Sequence, residues 1–431
     1  MVTARHELTR AWLRAQCLID EKIGVLKSVS QIANPPGLPP MFRFRAVRNV
    51  LRGDDGGRQS TFSMHGYGFK SDPLAARMAA IGEAIERYCC TITHGHLFVE
   101  SAYRDMQQPA VNPRRVSRPT AEQLQAHAPY MRAVDESSQL IWVEGREVDT
   151  DRSAWVPADL VFLPSPQRWS IREQISTGLA CGGSYWHAVH AALCEAIERD
   201  AFTITWLMQL PMPRIDLSTV DDPGCKMLLE RLDRIGVRVT VNDLTTNLGI
   251  PVFLVTAQTN WEYPRIFVSA SASLDPTQAL TDGLNECFGQ LCFLLSSSRR
   301  VNSPSEIRDM HDHGFYHADG KCMDVFRFYL DSPIQRWDDS RWLPAKASTY
   351  EERVLALVER LRRGGCVPYA VDLTTGDVAQ AGLHVVRVVV PELQFLHHAV
   401  PCLECPRMWH VAEAMGRPPA QPPLMVPHPF P

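Results

Sequence analysis

Two ten-residue segments, Ala79–Tyr88 and Ala191–Asp200, carry the same core, Glu-Ala-Ile-Glu-Arg, and no other feature constrains the chain as strongly. A weaker third copy, Gly283-Leu284-Asn285-Glu286, is followed one turn later by Gln290. The first copy lies in an apolar pattern of Leu74, Met78, Ile81, Ile85 and Tyr88, spacings of four and three that mark one face of a helix. Residues three apart share a helix face. Glu83 and Glu86 therefore project together, as do Glu195 and Glu198. Arg87 and Arg199 follow the first glutamate of each pair by four, within ion-pair reach.

One such segment alone reads as an ordinary amphipathic helix with an internal Glu–Arg pair. Two identical copies and a third carboxylate/amide helix point to shared chemistry. Carboxylates crowded together repel and raise one another's pKa. They become sensible around a hard cation, because Mg2+ takes oxygen ligands and usually bridges substrate phosphates. The arginines suit bidentate contacts to phosphate. The expected centre is a metal–phosphate site on paired helices.

The rest of the chain reads as a mixed α/β fold, with long carboxylate-bearing helices packed on mixed sheets. Helices are predicted at about 72–94, 184–208, 275–297 and 350–364, with a further helical pattern around Leu8, Trp12, Ala15 and Ile19. Ser71-Asp72-Pro73 is a good helix start. Strands are expected within 41–70, around Leu140–Val143, over 237–272 and at Val385–Val390, with a proline loop at 34–40. Gly66–Ser71 is Gly-rich but lacks a dinucleotide fingerprint, and reads as a turn before a helix. Ser176–Ser184 reads as a loop of small residues. There is no GxxxxGK[ST] phosphate loop, HExxH zinc helix or GxSxG elbow. The net charge of −4 gives no bulk case for nucleic acid or an anionic membrane. No run approaches the length of a membrane span. Twelve scattered cysteines without a signal sequence lead us to expect reduced thiols in the cytoplasm. Cys402 and Cys405 form a CxxC pair, read as two ordinary thiols, with a metal or redox role as the alternative. The last fifteen residues hold seven prolines, so that tail is predicted to be extended.

These motifs resemble the YcaO family, ATP-using enzymes that act on peptide backbones. Glu83, Glu86 and Arg87 match its first motif, although Ala79 replaces the usual serine. Ser176-Thr-Gly-Leu-Ala-Cys-Gly182 followed by Glu195, Glu198 and Arg199 matches the second, with Thr177 where asparagine is common. Asn285, Glu286 and Gln290 match the third. The resemblance covers roughly residues 60 to 431. It implies an N-terminal region 1–60, an ATP-binding catalytic domain 61–415 and a tail 416–431. It also implies Mg2+ on Glu83, Glu86, Glu195, Glu198 and Glu286. ATP would contact Lys70, Arg87, Ser176, Arg199, Asn285 and Gln290. Arg387, in a buried strand, stands between a nucleotide contact and a structural ion pair.

The ending Pro427-His428-Pro429-Phe430-Pro431 looks like the azoline-forming branch, the cyclodehydratases of thiazole/oxazole-modified peptides. The implied reaction turns Cys, Ser or Thr of a ribosomal precursor peptide into thiazoline or oxazoline. The Pro431 carboxylate is then the candidate base. The implied partners are an E1-like, leader-binding cyclodehydratase C protein, a flavin dehydrogenase and a second copy in a homodimer. Thioamide or amidine formation, a non-catalytic scaffold homologue and a metal-dependent hydrolase without ATP remain as other readings.

Overall fold

The computed structural model describes residues 2–49, 64–127, 130–342, 347–416 and 421–430. The chain forms two compact units that interleave along the sequence. Met1–Ile32, Phe42–Ala196 and Ala347–Cys405 build the first; Ala33–Met41, Ile197–Lys346 and Pro406–Pro431 build the second.

The first unit holds two sheets. A three-stranded antiparallel sheet runs Leu26–Gln31, Phe42–Arg48, His65–Lys70. A six-stranded sheet runs Phe98–Ala102, Gln139–Glu147, Tyr369–Asp372, His384–Val389, Leu179–Gly182, with Ser153–Pro157 paired beside Gln139–Glu147. Helix α1, Pro73–Cys89, begins where the sequence places it. Asp72 accepts from Leu74 N and Ala75 N at 2.9 Å, and Pro73 occupies the first turn. It stops short of the expected 94, because Thr91 Oγ1 and N both turn onto Tyr88 O and close the last turn. Its buried face is Ala76, Ala80, Ile81, Ala84, Ile85, Tyr88 and Cys89. Helix α2, Tyr185–Leu207, starts in this unit, and the boundary between the units falls after Ala196.

Two expectations are corrected here. Gly66–Lys70 is strand, as the reading of 41–70 expects, and not the turn its glycines suggest. Its glycines are packing residues: a Cβ on Gly68 would lie 1.8 Å from Ala76 O, and one on Gly66 2.2 Å from Ala80 O. The strand backbone thus lies directly on the α1 backbone. The segment read as a small-residue loop contains the strand Leu179–Gly182, paired antiparallel with His384–Arg387. Gly178 leads into it at φ +80°, a conformation that suits glycine.

The second unit is built on a five-stranded sheet ordered Ile266–Ala272, Val252–Thr259, Val237–Asp243, Arg214–Asp216, Ile334–Arg336, with only the last pair parallel. Val252–Thr259 is almost wholly buried, and Ile266–Ala272 entirely so. Helix α3, Pro276–Ser296, covers this sheet and is capped by Asp275 through Thr277 N and Gln278 N. Helix α4, Met310–Ala318, follows. The tail, described over 421–430, contains neither helix nor strand, as its prolines require. No helix among the described residues is long and apolar enough to cross a membrane.

Candidate nucleotide and metal site

In the first unit three of the predicted glutamates come together, each pinned by one backbone N–H. Glu83 Oε2 accepts from Tyr67 N at 2.7 Å. This contact exists because Gly66 and Gly68 let their strand lie against α1. Glu86 Oε1 accepts from Cys181 N at 2.8 Å, on the strand that follows the small-residue loop. Glu195 Oε2 accepts from Gly178 N at 2.7 Å. The sequence reading missed these three donors, since a backbone N–H has no side-chain signature. Gly66, Gly68 and Gly178 were their only trace.

Arg87 Nη2 pairs with Glu83 Oε1 at 3.2 Å, as the spacing of four predicts. Burial works against the Arg87 charge, but Glu83 and then Glu86 outweigh it and hold the guanidinium charged. Arg87 Nε is buried and donates to nothing among the described residues. Glu86 carries the strain of the cluster. Burial first, then the charge of Glu83, with Glu195 adding to both, push its pKa up to about 8, against the N–H of Cys181 and the charge of Arg87.

Lys70 ends its strand opposite Phe42, half-buried. Ser176, half-buried, accepts from Leu179 N through its carbonyl at the turn into Gly178. Arg387 is buried and donates to the carbonyls of Leu160 at 3.0 Å and Ile175 at 2.8 Å, fixing the segment that leads to Ser176. Cys402 and Cys405 are buried thiols outside any disulfide, and burial pushes the Cys402 thiol up to about 12.

The second unit holds the remaining candidates. Glu198 and Arg199 lie half-buried on the second half of α2. On α3, Glu286 is exposed, while Asn285 and Gln290 are buried. Asn285 Nδ2 donates to Thr281 O at 2.9 Å, but its Oδ1 finds no donor, nor Gln290 Nε2 an acceptor, among the described residues. An orphaned buried amide atom costs about 1–3 kcal/mol, so two on one helix are an expense that a polar ligand would offset. Pro431 lies outside the described residues.

The glutamates and Arg87 of the first unit fit a magnesium ion beside a nucleotide phosphate. Among the described residues no three carboxylate, imidazole or thiol side chains close on one point to hold an ion alone. Mg2+ usually takes one or two carboxylates and completes its shell with water and phosphate oxygens. Glu83, Glu86 and Glu195 have the charge for it, and a cation there would relieve the repulsion on Glu86.

Residues 66–394 match the family model described as "YcaO cyclodehydratase, ATP-ad Mg2+-binding". The chain therefore belongs to the YcaO family of ATP-dependent enzymes, and its cofactors are ATP and Mg2+. It is 27% identical over 268 residues to an uncharacterized protein of Methanothermobacter thermautotrophicus, covering 61% of this chain and 67% of that one. It is 29% identical over 246 residues to an uncharacterized protein in the tfuA 3' region of Rhizobium leguminosarum bv. trifolii, covering 54% and 56%.

Among solved structures, a heterocyclase in complex with substrate and cofactor matches with a TM-score of 0.79 at 20% identity, over 98% of this chain and 57% of that one. YcaO from Methanopyrus kandleri bound with AMPPCP and Mg2+ matches at 0.68 and 19%, over 97% and 96%. The E. coli microcin synthetase McbBCD complex with pro-MccB17 bound matches at 0.63 and 13%, over 93% and 95%. At these identities the likeness establishes the fold. The chain spans little more than half the length of the Rhizobium relative and of the heterocyclase.

Proposed function

We propose that this protein is an ATP-dependent peptide cyclodehydratase, forming thiazoline or oxazoline from Cys, Ser or Thr of a ribosomal precursor peptide. The observation that carries the reading is the trio of glutamates, each pinned by a backbone N–H, with Glu86 held against its own charge. The fold of the heterocyclase supports the choice of reaction.

In the proposed reaction the side-chain thiol or hydroxyl attacks the carbonyl carbon of the preceding residue and loses its proton. The carbonyl oxygen takes the γ-phosphoryl group, releasing ADP. The C–O bond then breaks, phosphate leaves, and the nitrogen gives up its proton as the C=N bond forms. An amide oxygen is a poor leaving group, and phosphorylation makes it a good one. Bound Mg2+ supplies charge neutralisation for the phosphates. The protein's own part is positional and electrostatic. One or two of Glu83, Glu86 and Glu195 would ligate the cation, water and phosphate oxygens completing its shell; Glu198 and Glu286, in the second unit, are proposed as further metal ligands. Arg87 and Arg199 orient phosphate oxygens, and Asn285 and Gln290 offer their orphaned amide atoms.

A leader-binding partner would concentrate the precursor at the site. The microcin synthetase, solved as a complex with pro-MccB17, gives a precedent for such an assembly. A flavin dehydrogenase acting on the rings and a homodimeric state belong to the same proposal. Mass spectrometry of a precursor treated with the protein, ATP and Mg2+, with and without partner, tests it. Each modified residue should lose the mass of one water, faster with partner. A peptide that exchanges oxygen for sulfur, or that stays unmodified while ATP is hydrolysed, would refute the ring-forming assignment.

A further inference from the structure

Helix α2 carries, just before Glu195, a thiol and an imidazole that the nucleotide site does not use. Cys194 Sγ lies 3.7 Å from His190 Nε2, within reach of a sulfur hydrogen bond. The two residues are four apart and so share one face of the helix. The first repeat has Met78 and Gly82 at the matching positions, so the pair belongs to the second copy alone. Both side chains are half-buried, within reach of a small ion.

The spacing suits a shared metal ion. Zinc binds sulfur at about 2.3 Å and imidazole nitrogen at about 2.0–2.1 Å, and a tetrahedral angle between those bonds holds the two atoms about 3.5–3.6 Å apart. An ion would enter between Cys194 and His190 with hardly any movement of either. The ring is also held in place. Tyr350, at the start of the helix Tyr350–Arg363, lies 5.5 Å from the His190 ring and stacks on His187 at 4.3 Å and 13°. Burial first, then Arg353 and His187, keep the His190 pKa down to about 4, so the ring is neutral, the form that ligates metals. Arg353 is exposed, and water and salt screen its charge. His187 does not complete the set, because its Nδ1 accepts from Gly183 N at 3.2 Å. Two protein ligands leave the remaining positions to water.

The CxxC pair is a poorer host. Cys402 and Cys405 are each 1% exposed, and the buried guanidinium of Arg172 lies near enough to interact with both. A fixed positive charge in a buried place repels a cation.

We propose that His190 and Cys194 form a binding site for a thiophilic divalent cation, zinc, separate from the glutamates that serve Mg2+. Mg2+ takes oxygen ligands, whereas thiolate and imidazole together favour zinc. Binding replaces the S–H bond of Cys194 by an S–Zn bond and releases one proton to solvent. The proposal goes beyond the cyclodehydratase reading and does not depend on it.

The test uses the metal-free full chain with Mg2+ in excess, so that oxygen sites are taken. Co2+ is the probe, because a thiolate bound to it gives a near-ultraviolet charge-transfer absorption that oxygen and nitrogen ligands do not. The wild type should develop this band at one equivalent of Co2+ and lose it when Zn2+ is added. Cys194→Ser should abolish the band. His190→Leu should weaken Co2+ and Zn2+ binding by tenfold or more, at least what loss of an outer-shell partner costs. Cys402→Ala with Cys405→Ala should leave the band in place, and the Cys194→Ser result decides alone if that variant does not fold. No band in the wild type, a band that survives Cys194→Ser, or an ion displaced by Mg2+ would overturn the site. Unchanged affinity in His190→Leu would overturn the two-ligand assignment. No arm of the test involves nucleotide or peptide, so its failure and that of the cyclodehydratase reading are told apart.

Discussion

Glu83→Gln and Glu86→Gln should each weaken Mg2+–ATP binding by about a hundredfold while the protein stays folded. Each change removes one carboxylate charge and almost no volume. Removing one partner of a buried charged contact costs roughly 2–5 kcal/mol, and about 3 kcal/mol is a hundredfold in Kd. Stability should move the other way for Glu86. Its folded pKa of about 8 stands above its ordinary 4.5, so between those values the folded metal-free protein holds a proton that the unfolded chain has released. Stability therefore falls as pH rises through that window, and glutamine, which cannot ionise, escapes the loss. Calorimetric titration with Mg2+–ATP and thermal melts of the metal-free protein on both sides of the window measure the two effects. Wild-type affinity in both variants would remove these residues from the site.

The largest loss of stability is expected at Arg407. Its Nε lies 3.1 and 3.0 Å from the two carboxylate oxygens of Asp200, and its Nη2 lies 2.8 Å from Oδ2. Nη1 donates to Asn247 Oδ1 and Nη2 also to Thr246 Oγ1. Asp200 is 0% exposed and Arg407 7%. Arg407→Leu would strand a buried carboxylate, at a cost of about 3–5 kcal/mol. Replacing both partners, as in Asp200→Leu with Arg407→Leu, leaves no charge to solvate and should recover much of that cost. Urea denaturation of the two variants settles the matter, and a double variant less stable than the single one contradicts it. Asp200 follows Glu198 by two residues on α2, so this ion pair also anchors the helix that carries the proposed ligand.

The sequence revealed most where the determinants are local. The first long helix announced itself through apolar spacing and an Asp-Pro start, and the other two were expected at nearly their observed ranges. The Glu83–Arg87 pair followed from a spacing of four. Ends and contacts set by distant partners stayed hidden. Gly66 and Gly68 looked like a turn, because their reason, the backbone of α1 lying on their strand, is tertiary. The strand at Leu179–Gly182 was concealed among small residues and depends on pairing with His384–Arg387. The tail was legible as extended, while the hydrogen bonds that hold it come from Trp206, His313 and His317, remote in sequence. Asp200 and Arg407 are likewise joined across more of the chain than any pattern of period two or 3.6 can register.

The central claim is that ATP is spent on the oxygen of a backbone amide. The most direct test follows that oxygen. A precursor peptide is prepared with heavy oxygen in the carbonyl preceding the residue to be modified, then treated with wild-type protein, ATP and Mg2+. The account predicts that the label leaves the peptide and appears in inorganic phosphate, in amounts equal to the rings formed. Label found in water, or retained in the peptide after modification, would contradict it.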